Sequence, residues 1–220
     1  MEVVAAVPTP FRADGDVDFA AARAGFGYVA SIVDGLFVAG AEGEFPALSA
    51  DERIGLFEVA LAVCPGAIVH IGASEVRNAV AMAERAVELG ARRFAAATPS
   101  GGISVYYQRI RDVVGNAELY AYVDPERLGV RPDPQALAEA DITGTILGGS
   151  AGAEYPGRLY RASGTAAAFP RGRISQELGI PLVKQAWALR GFGGTTTRME
   201  LAPSEAAAIA QVKHFLAEFG

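Results

Sequence analysis

Lysine is almost absent from this chain of 220 residues: Lys184 and Lys213 are its only two, and arginine supplies the remaining positive charge. Any chemistry that needs a reactive amine therefore has two candidates. Cysteine occurs once, at Cys64, which excludes an internal disulfide framework and fits a reducing, cytoplasmic setting. Cys64 closes a predicted helix and reads as a small buried hydrophobe rather than a nucleophile. The two histidines, His70 and His214, are far apart, so no paired-histidine metal motif exists. No apolar run reaches the ~18 residues needed to cross a bilayer. Met1-Glu2-Val3-Val4 has no basic leader region and runs straight into a strand, so no signal peptide is expected. The net charge of −6 argues against nucleic acid as a partner. Neither a membrane nor a nucleic acid is expected to be bound.

What is present is apolar: 51% hydrophobic residues and a mean hydropathy of +0.24, enough for one sizeable core and one domain. The charge is uneven. Residues 1–147 carry a net −9 and residues 148–220 a net +3. Arg158, Arg161, Arg171 and Arg173 either gather around an anion or are scattered over the surface.

The pattern is organised around residues 33–49. Residues 36–39 form a continuous apolar run, as in a strand buried on both faces. The turn Gly40-Ala41-Glu42-Gly43-Glu44 follows, its glycines expected to supply unusual backbone angles. Ser49 and Glu52 then form a capping box that starts a helix. The same unit recurs. Strands are expected at 3–7, 67–71, 94–97, 118–123 and 142–147, with helices from about 18 onward and over 51–63, 75–89 and 104–114. Asp133-Pro134 opens a further short helix. Strands and helices alternating at roughly thirty-residue spacing imply right-handed crossovers and a parallel sheet, most naturally a (β/α)8-type TIM barrel. Beyond 148 the pattern weakens. Residues 153–162 show no periodicity, 163–169 read as one more strand, and 174–190 read as a helix that Pro181 must break or kink. A terminal helix spans 206–219. An eight-unit barrel typically needs about 250 residues, so the second half is expected to be incomplete, completed by a partner subunit, or missing residues.

Val7-Pro8-Thr9-Pro10-Phe11, Asp14-Gly15-Asp16-Val17-Asp18, Gly40-Ala41-Glu42-Gly43-Glu44, Leu48-Ser49-Ala50-Asp51-Glu52-Arg53, Ile71-Gly72-Ala73, Thr98-Pro99, Tyr122-Val123-Asp124-Pro125 and Ile180-Pro181-Leu182-Val183-Lys184 together resemble the dihydrodipicolinate synthase / N-acetylneuraminate lyase family. The resemblance implies a (β/α)8 barrel over 1–172 and a C-terminal helical extension over 173–220. It also implies a class I aldolase or hydro-lyase of 2-oxo acids, with no cofactor. Such enzymes form a Schiff base on a lysine of the sixth strand, using an amine that burial keeps neutral. Here that position falls on Ile146 or a neighbour. Lys184 matches the family's tail and Lys213 lies on the last helix, so neither is expected at the barrel mouth. Where the family's second loop offers hydroxyl groups to a substrate carboxylate, this chain has Ala41 and Glu42. At an effective dielectric of about 20, a second carboxylate a few ångströms from Glu42 meets a repulsion of about 4 kcal/mol. The family's tyrosine-rich lid is reduced to Ser100-Gly101-Gly102.

Tyr122 aligns with the family's proton-relaying tyrosine, and filling the barrel interior is the competing role. Glu44 resembles a structural glutamate. The candidate catalytic residues are thus Tyr122 and Glu42, and the candidate substrate contacts are Ala41, Gly43, Ile146 and Gly148. Glu42 or Glu44, His70 and Asp124 are conceivable ligands for a divalent ion, although a lone strand histidine is more often a hydrogen-bonded core residue. Residues 148–152 form either a plain turn or a phosphate cradle, without the lysine and hydroxyl of a P-loop. Two function classes follow: a lyase by descent that works without Schiff-base chemistry, or a non-catalytic binding or assembly protein on the same scaffold. A small-molecule ligand is expected in either case. Open strand edges of an incomplete barrel would favour homo-oligomers.

Overall fold

The computed structural model describes residues 2–170 and 177–219. The elements follow the expected alternation: β1 (Glu2–Ala6), α1 (Phe19–Ala30), β2 (Leu36–Val38), α2 (Ala50–Val63), β3 (Ile68–His70), α3 (Val76–Glu88), β4 (Arg93–Ala97), α4 (Ile103–Val114) and β5 (Glu118–Val123). Two short helices, α5 (Pro125–Leu128) and α6 (Pro134–Ala138), lead to β6 (Gly144–Leu147) and β7 (Arg158–Ser163), and then come α7 (Gly164–Ala168), α8 (Ile180–Leu189) and α9 (Ala206–Phe219). Among the described residues, seven strands pair in chain order in a closed barrel.

The chain divides into two compact units. One contains Met1–Val3 and Gly66–Ala162, the other Val4–Pro65 and Ser163–Gly220.

In the first unit, β3 to β7 are parallel and in register: His70 pairs with Ala95, Ala97 with Tyr122, Tyr122 with Ile146, and Ile146 with Tyr160. In-register residues of parallel strands face the same side, so His70, Tyr122, Ile146 and Tyr160 share one face. At the strand starts, Arg93 donates to Glu118 at 2.7 Å, to the Tyr160 hydroxyl at 2.8 Å and to the Gly66 carbonyl at 3.0 Å. Outside the strands, α3 buries Ala79, Met82, Ala83 and Ala86, one stripe at helical spacing.

In the second unit, the Asp18 carboxylate accepts from Ala21 N–H and caps α1. The expected capping box on α2 is present, with Glu52 N–H donating to Ser49 Oγ at 3.2 Å and Ser49 N–H to the Glu52 carboxylate at 2.8 Å. Trp187 donates its indole N–H to the Ala167 carbonyl at 3.0 Å and meets Phe26 edge-on at 6.1 Å. Gly25 lies beneath that indole, leaving no room for a Cβ.

Three expectations are corrected. Residues 163–169 are not a strand. The seventh strand is Arg158–Ser163, largely inside the stretch without periodicity, and 164–168 are helical. Two arginines disguised the strand, and one of them, Arg161, spends its charge on the carbonyls of Gly149 and Ala151, both at 3.0 Å. Pro181 neither breaks nor kinks its helix. It sits in the first turn of α8, where a missing N–H costs nothing; residues 174–176 of that expected helix lie outside the described residues. Cys64 caps α2 and is half-buried rather than core. Among the described residues no helix is long and apolar enough to cross a membrane.

Candidate functional site

The expected residues fall into two groups, one in each unit. The first is the loop after β2. Sequence reasoning gave its unusual backbone angles to Gly40 and Gly43. The structure gives positive φ to their neighbours instead, Ala39 at 52° and Glu44 at 57°. The glycines serve close approach: a Cβ on Gly40 would run into the Phe37 ring, and one on Gly43 would lie 3.0 Å from the Ala39 Cα. Two side-chain-bearing residues in the left-handed region within six positions are costly, so something must hold the loop.

The Glu44 carboxylate is the holding point. It is fully buried and forms an ion pair with Lys184 Nζ of α8, itself 1% exposed. It also accepts the backbone N–H groups of Arg198 at 2.9 Å and Met199 at 2.8 Å. Lys184 donates further to the Thr196 carbonyl at 2.7 Å and lies 4.1 Å from the Phe11 ring centroid. Burial draws its amine below the ordinary lysine value, and the pairing with Glu44 opposes that shift. Arg198 covers the same ring at 4.7 Å and binds the Glu52 carboxylate with both terminal nitrogens, at 2.8 and 2.5 Å. That contact pulls Glu52 down to about 2. Thr9 Oγ1 donates to the Gly43 carbonyl at 2.7 Å. Of the residues predicted here, Ala41 and Glu42 are both buried, Gly43 is tied to Thr9, and Gly164 lies against the Glu42 side chain. Lys184 and Arg198 were missed as members of this cluster. The signal available was the net positive charge of the chain's last third set against its acidic beginning.

The second group lies at the carboxyl ends of β3 to β6, the end at which parallel barrels place ligands. The Tyr122 hydroxyl donates to Asp124 Oδ2 at 3.2 Å, with both residues buried. Burial raises the Asp124 pKa, and Arg127, 3.9 Å away, only partly offsets it. His70 meets Tyr122 edge-on at 5.6 Å, and its Nε2 accepts the Ala97 N–H at 3.1 Å. It is therefore the hydrogen-bonded core histidine. Among the described residues no three His, Cys, Asp or Glu side chains gather to hold a metal ion.

Ile146 is buried beside Tyr122 and presents only hydrocarbon. Gly148 has no room for a Cβ because the Asp124 carboxyl occupies that space. In the turn over 148–152, read from the sequence as a plain turn or a phosphate cradle, the Ser150 N–H donates to the Glu126 carboxylate at 3.0 Å. Only two of the four arginines lie among the described residues. Arg158 pairs with Glu2 at 2.9 Å and Arg161 with backbone carbonyls, while Arg171 and Arg173 lie outside the described residues. Lys213 is exposed on α9, and His214 is exposed beside Glu218 at 3.5 Å.

The strand-and-helix order leads to known proteins. The model of the dihydrodipicolinate synthetase family matches residues 1–131. The 4-hydroxy-tetrahydrodipicolinate synthase of a Nostoc species is 30% identical over 172 residues, covering 72% of this chain and 58% of that protein. The N-acetylneuraminate lyase of Clostridium perfringens is 32% identical over 125 residues, covering 53% of this chain and 43% of the lyase. The chain thus spans about half the length of the curated relatives it matches. Among solved structures, the dihydrodipicolinate synthase of Aquifex aeolicus superposes with a TM-score of 0.81 at 17% identity, covering 99% of this chain and 97% of that one. The Cyanidioschyzon merolae enzyme, solved with lysine bound, also gives 0.81, at 20% identity, covering 98% and 97%. At such identities the structures speak for the fold, and the sequence matches speak for descent: this chain belongs to the dihydrodipicolinate synthetase family.

Proposed function

We propose that this chain is an aldolase or lyase of 2-oxo acids by descent that takes a small-molecule ligand without forming a Schiff base. The observation that carries this reading is Ile146. It stands in register with Tyr122 where the family resemblance puts the reactive lysine, and a hydrocarbon cannot attack a carbonyl. Neither lysine is a ready substitute. Lys184 commits its protons to Glu44 and Thr196, and an imine requires a free, neutral amine. Lys213 is on the outer surface of α9. The buried Glu42 on the β2 loop further disfavours a carboxylate ligand on that loop.

The test is borohydride reduction of the chain with pyruvate, followed by intact-mass measurement. The expected result is an unchanged mass; a pyruvate adduct on either lysine overturns the reading. A thermal-shift panel of 2-oxo acids, sugar acids and neutral or cationic polyols then finds the ligand class, because a ligand that binds the folded form raises the melting temperature.

The hydrogen bond from Tyr122 to Asp124 favours a lysine-independent lyase over an inert scaffold, since a phenol donating to a buried carboxyl is a proton-transfer pair. Turnover of any panel member, lost in Tyr122→Phe, supports catalysis. Binding without turnover supports the binding or assembly role.

A further inference from the structure

Glu44 is the meeting point of two segments far apart in the chain. The β2 loop contributes the carboxylate from a residue in the left-handed region. The C-terminal segment contributes Lys184 from α8 and the backbone N–H groups of Arg198 and Met199. The two cations of that segment also cover one ring, Phe11. Arg198 reaches past Glu44 to the Ala47 carbonyl at 3.0 Å and the Gly15 carbonyl at 2.9 Å, so a single guanidinium ties down both the β2 loop and the turn after β1. Within the loop itself, the Glu44 N–H donates to Ala41 and the Phe45 N–H to Gly40. Those local bonds close a turn but leave Ala39 and Glu44 in conformations that a free loop would abandon.

We propose that residues 180–199 act as a strap that holds the β2 loop in its strained conformation, with Glu44 as the buckle and Lys184, Arg198 and Met199 as the tongue. Loop and strap then open as one unit. Ala41, Glu42 and Gly43 lie on that loop, so their positions are set from the C-terminal segment. Lys184 and Arg198 are positioning residues. This coupling holds whether or not the barrel catalyses a reaction.

The experiment is native-state hydrogen exchange by NMR on the full chain in increasing urea. Four amides report the two sides: Glu44 and Phe45 for the loop, Arg198 and Met199 for the strap. In the wild type all four should converge on one opening, with protection factors within threefold and the same urea dependence. Lys184→Met should lower the protection of all four by at least tenfold, and by factors that agree with one another within threefold. In Glu44→Gln the amide oxygen still accepts both backbone N–H groups while its NH2 group faces the Lys184 ammonium, and the variant should give the same pattern. The proposal is overturned if Arg198 and Met199 open while Glu44 and Phe45 stay protected. It is equally overturned if Glu44 and Phe45 keep their wild-type protection in Lys184→Met. Should Lys184→Met fail to fold, the wild-type convergence and Glu44→Gln decide.

Discussion

Ile146 lies opposite Tyr122 in the pairing of β5 with β6, and both side chains are fully buried. This juxtaposition of a phenol and a hydrocarbon makes the first prediction direct. Ile146→Lys puts an amine on the same face as the Tyr122 hydroxyl, and burial should keep it largely neutral. The variant should melt at a lower temperature, because a buried amine lacks a prepared partner. It should also gain a pyruvate adduct under borohydride that the wild type does not form. A folded Ile146→Lys protein with no adduct would show that position 146 is not the family's reactive position.

Tyr122→Phe removes the donor to Asp124 Oδ2. A buried acceptor left short of one hydrogen bond costs about 1–2 kcal/mol, to be read as a lower urea midpoint with an unchanged slope. Asp124→Asn in the same background should then cost less than it does alone, since the two residues share the bond.

Lys184→Met leaves the Glu44 carboxylate buried without its counter-charge. Breaking one side of a buried pair typically costs about 3–5 kcal/mol. The two backbone N–H groups from Arg198 and Met199 remain on Glu44, so the lower end of that range is expected in chemical denaturation at neutral pH.

Two carboxyl groups should give opposite pH dependences. Glu52 is lowered from 4.5 to about 2 by Arg198, so its folded, ionised form is favoured. Its contribution is complete above pH 4.5 and drains away as pH falls towards 2. Asp124 is raised above 3.8, chiefly by burial, so its protonated form is favoured in the folded chain. Its contribution is complete below 3.8 and is lost as pH rises through the raised value. Urea midpoints measured between pH 2 and 7 should show Glu52→Gln flattening the acid limb and Asp124→Asn removing the opposing slope.

Gly148→Ala forces a methyl group into the space of the Asp124 carboxyl. Overpacking of this kind costs about 1–3 kcal/mol. The variant should lose stability but lose little more when Asp124→Ala is added, because the second change vacates the contested volume.

Much of the chain was legible before folding because its signals are local. The capping box of Ser49 and Glu52 and the apolar run at 36–39 depend on neighbours within a few residues, and each appears where expected. The strand over 118–123 matches to the residue. Illegible features were those set by distant partners. Arg161 sits in a strand because carbonyls of Gly149 and Ala151 accept its charge. Glu44 and Ala39, not the adjacent glycines, take the left-handed conformation because the surrounding contacts impose it.

Alone, the order of residues determined the alternation of strands and helices, the family, and the presence of isoleucine where relatives are expected to carry an amine. All of these follow from short-range pattern and side-chain identity. Only the tertiary structure decided what the scarce lysines and the uneven charge are for. The excess positive charge of the last third supplies Lys184 and Arg198, which neutralise Glu44 and Glu52 from the first third. Such pairing depends on which segments burial brings within a few ångströms, and sequence separation carries no information about that distance.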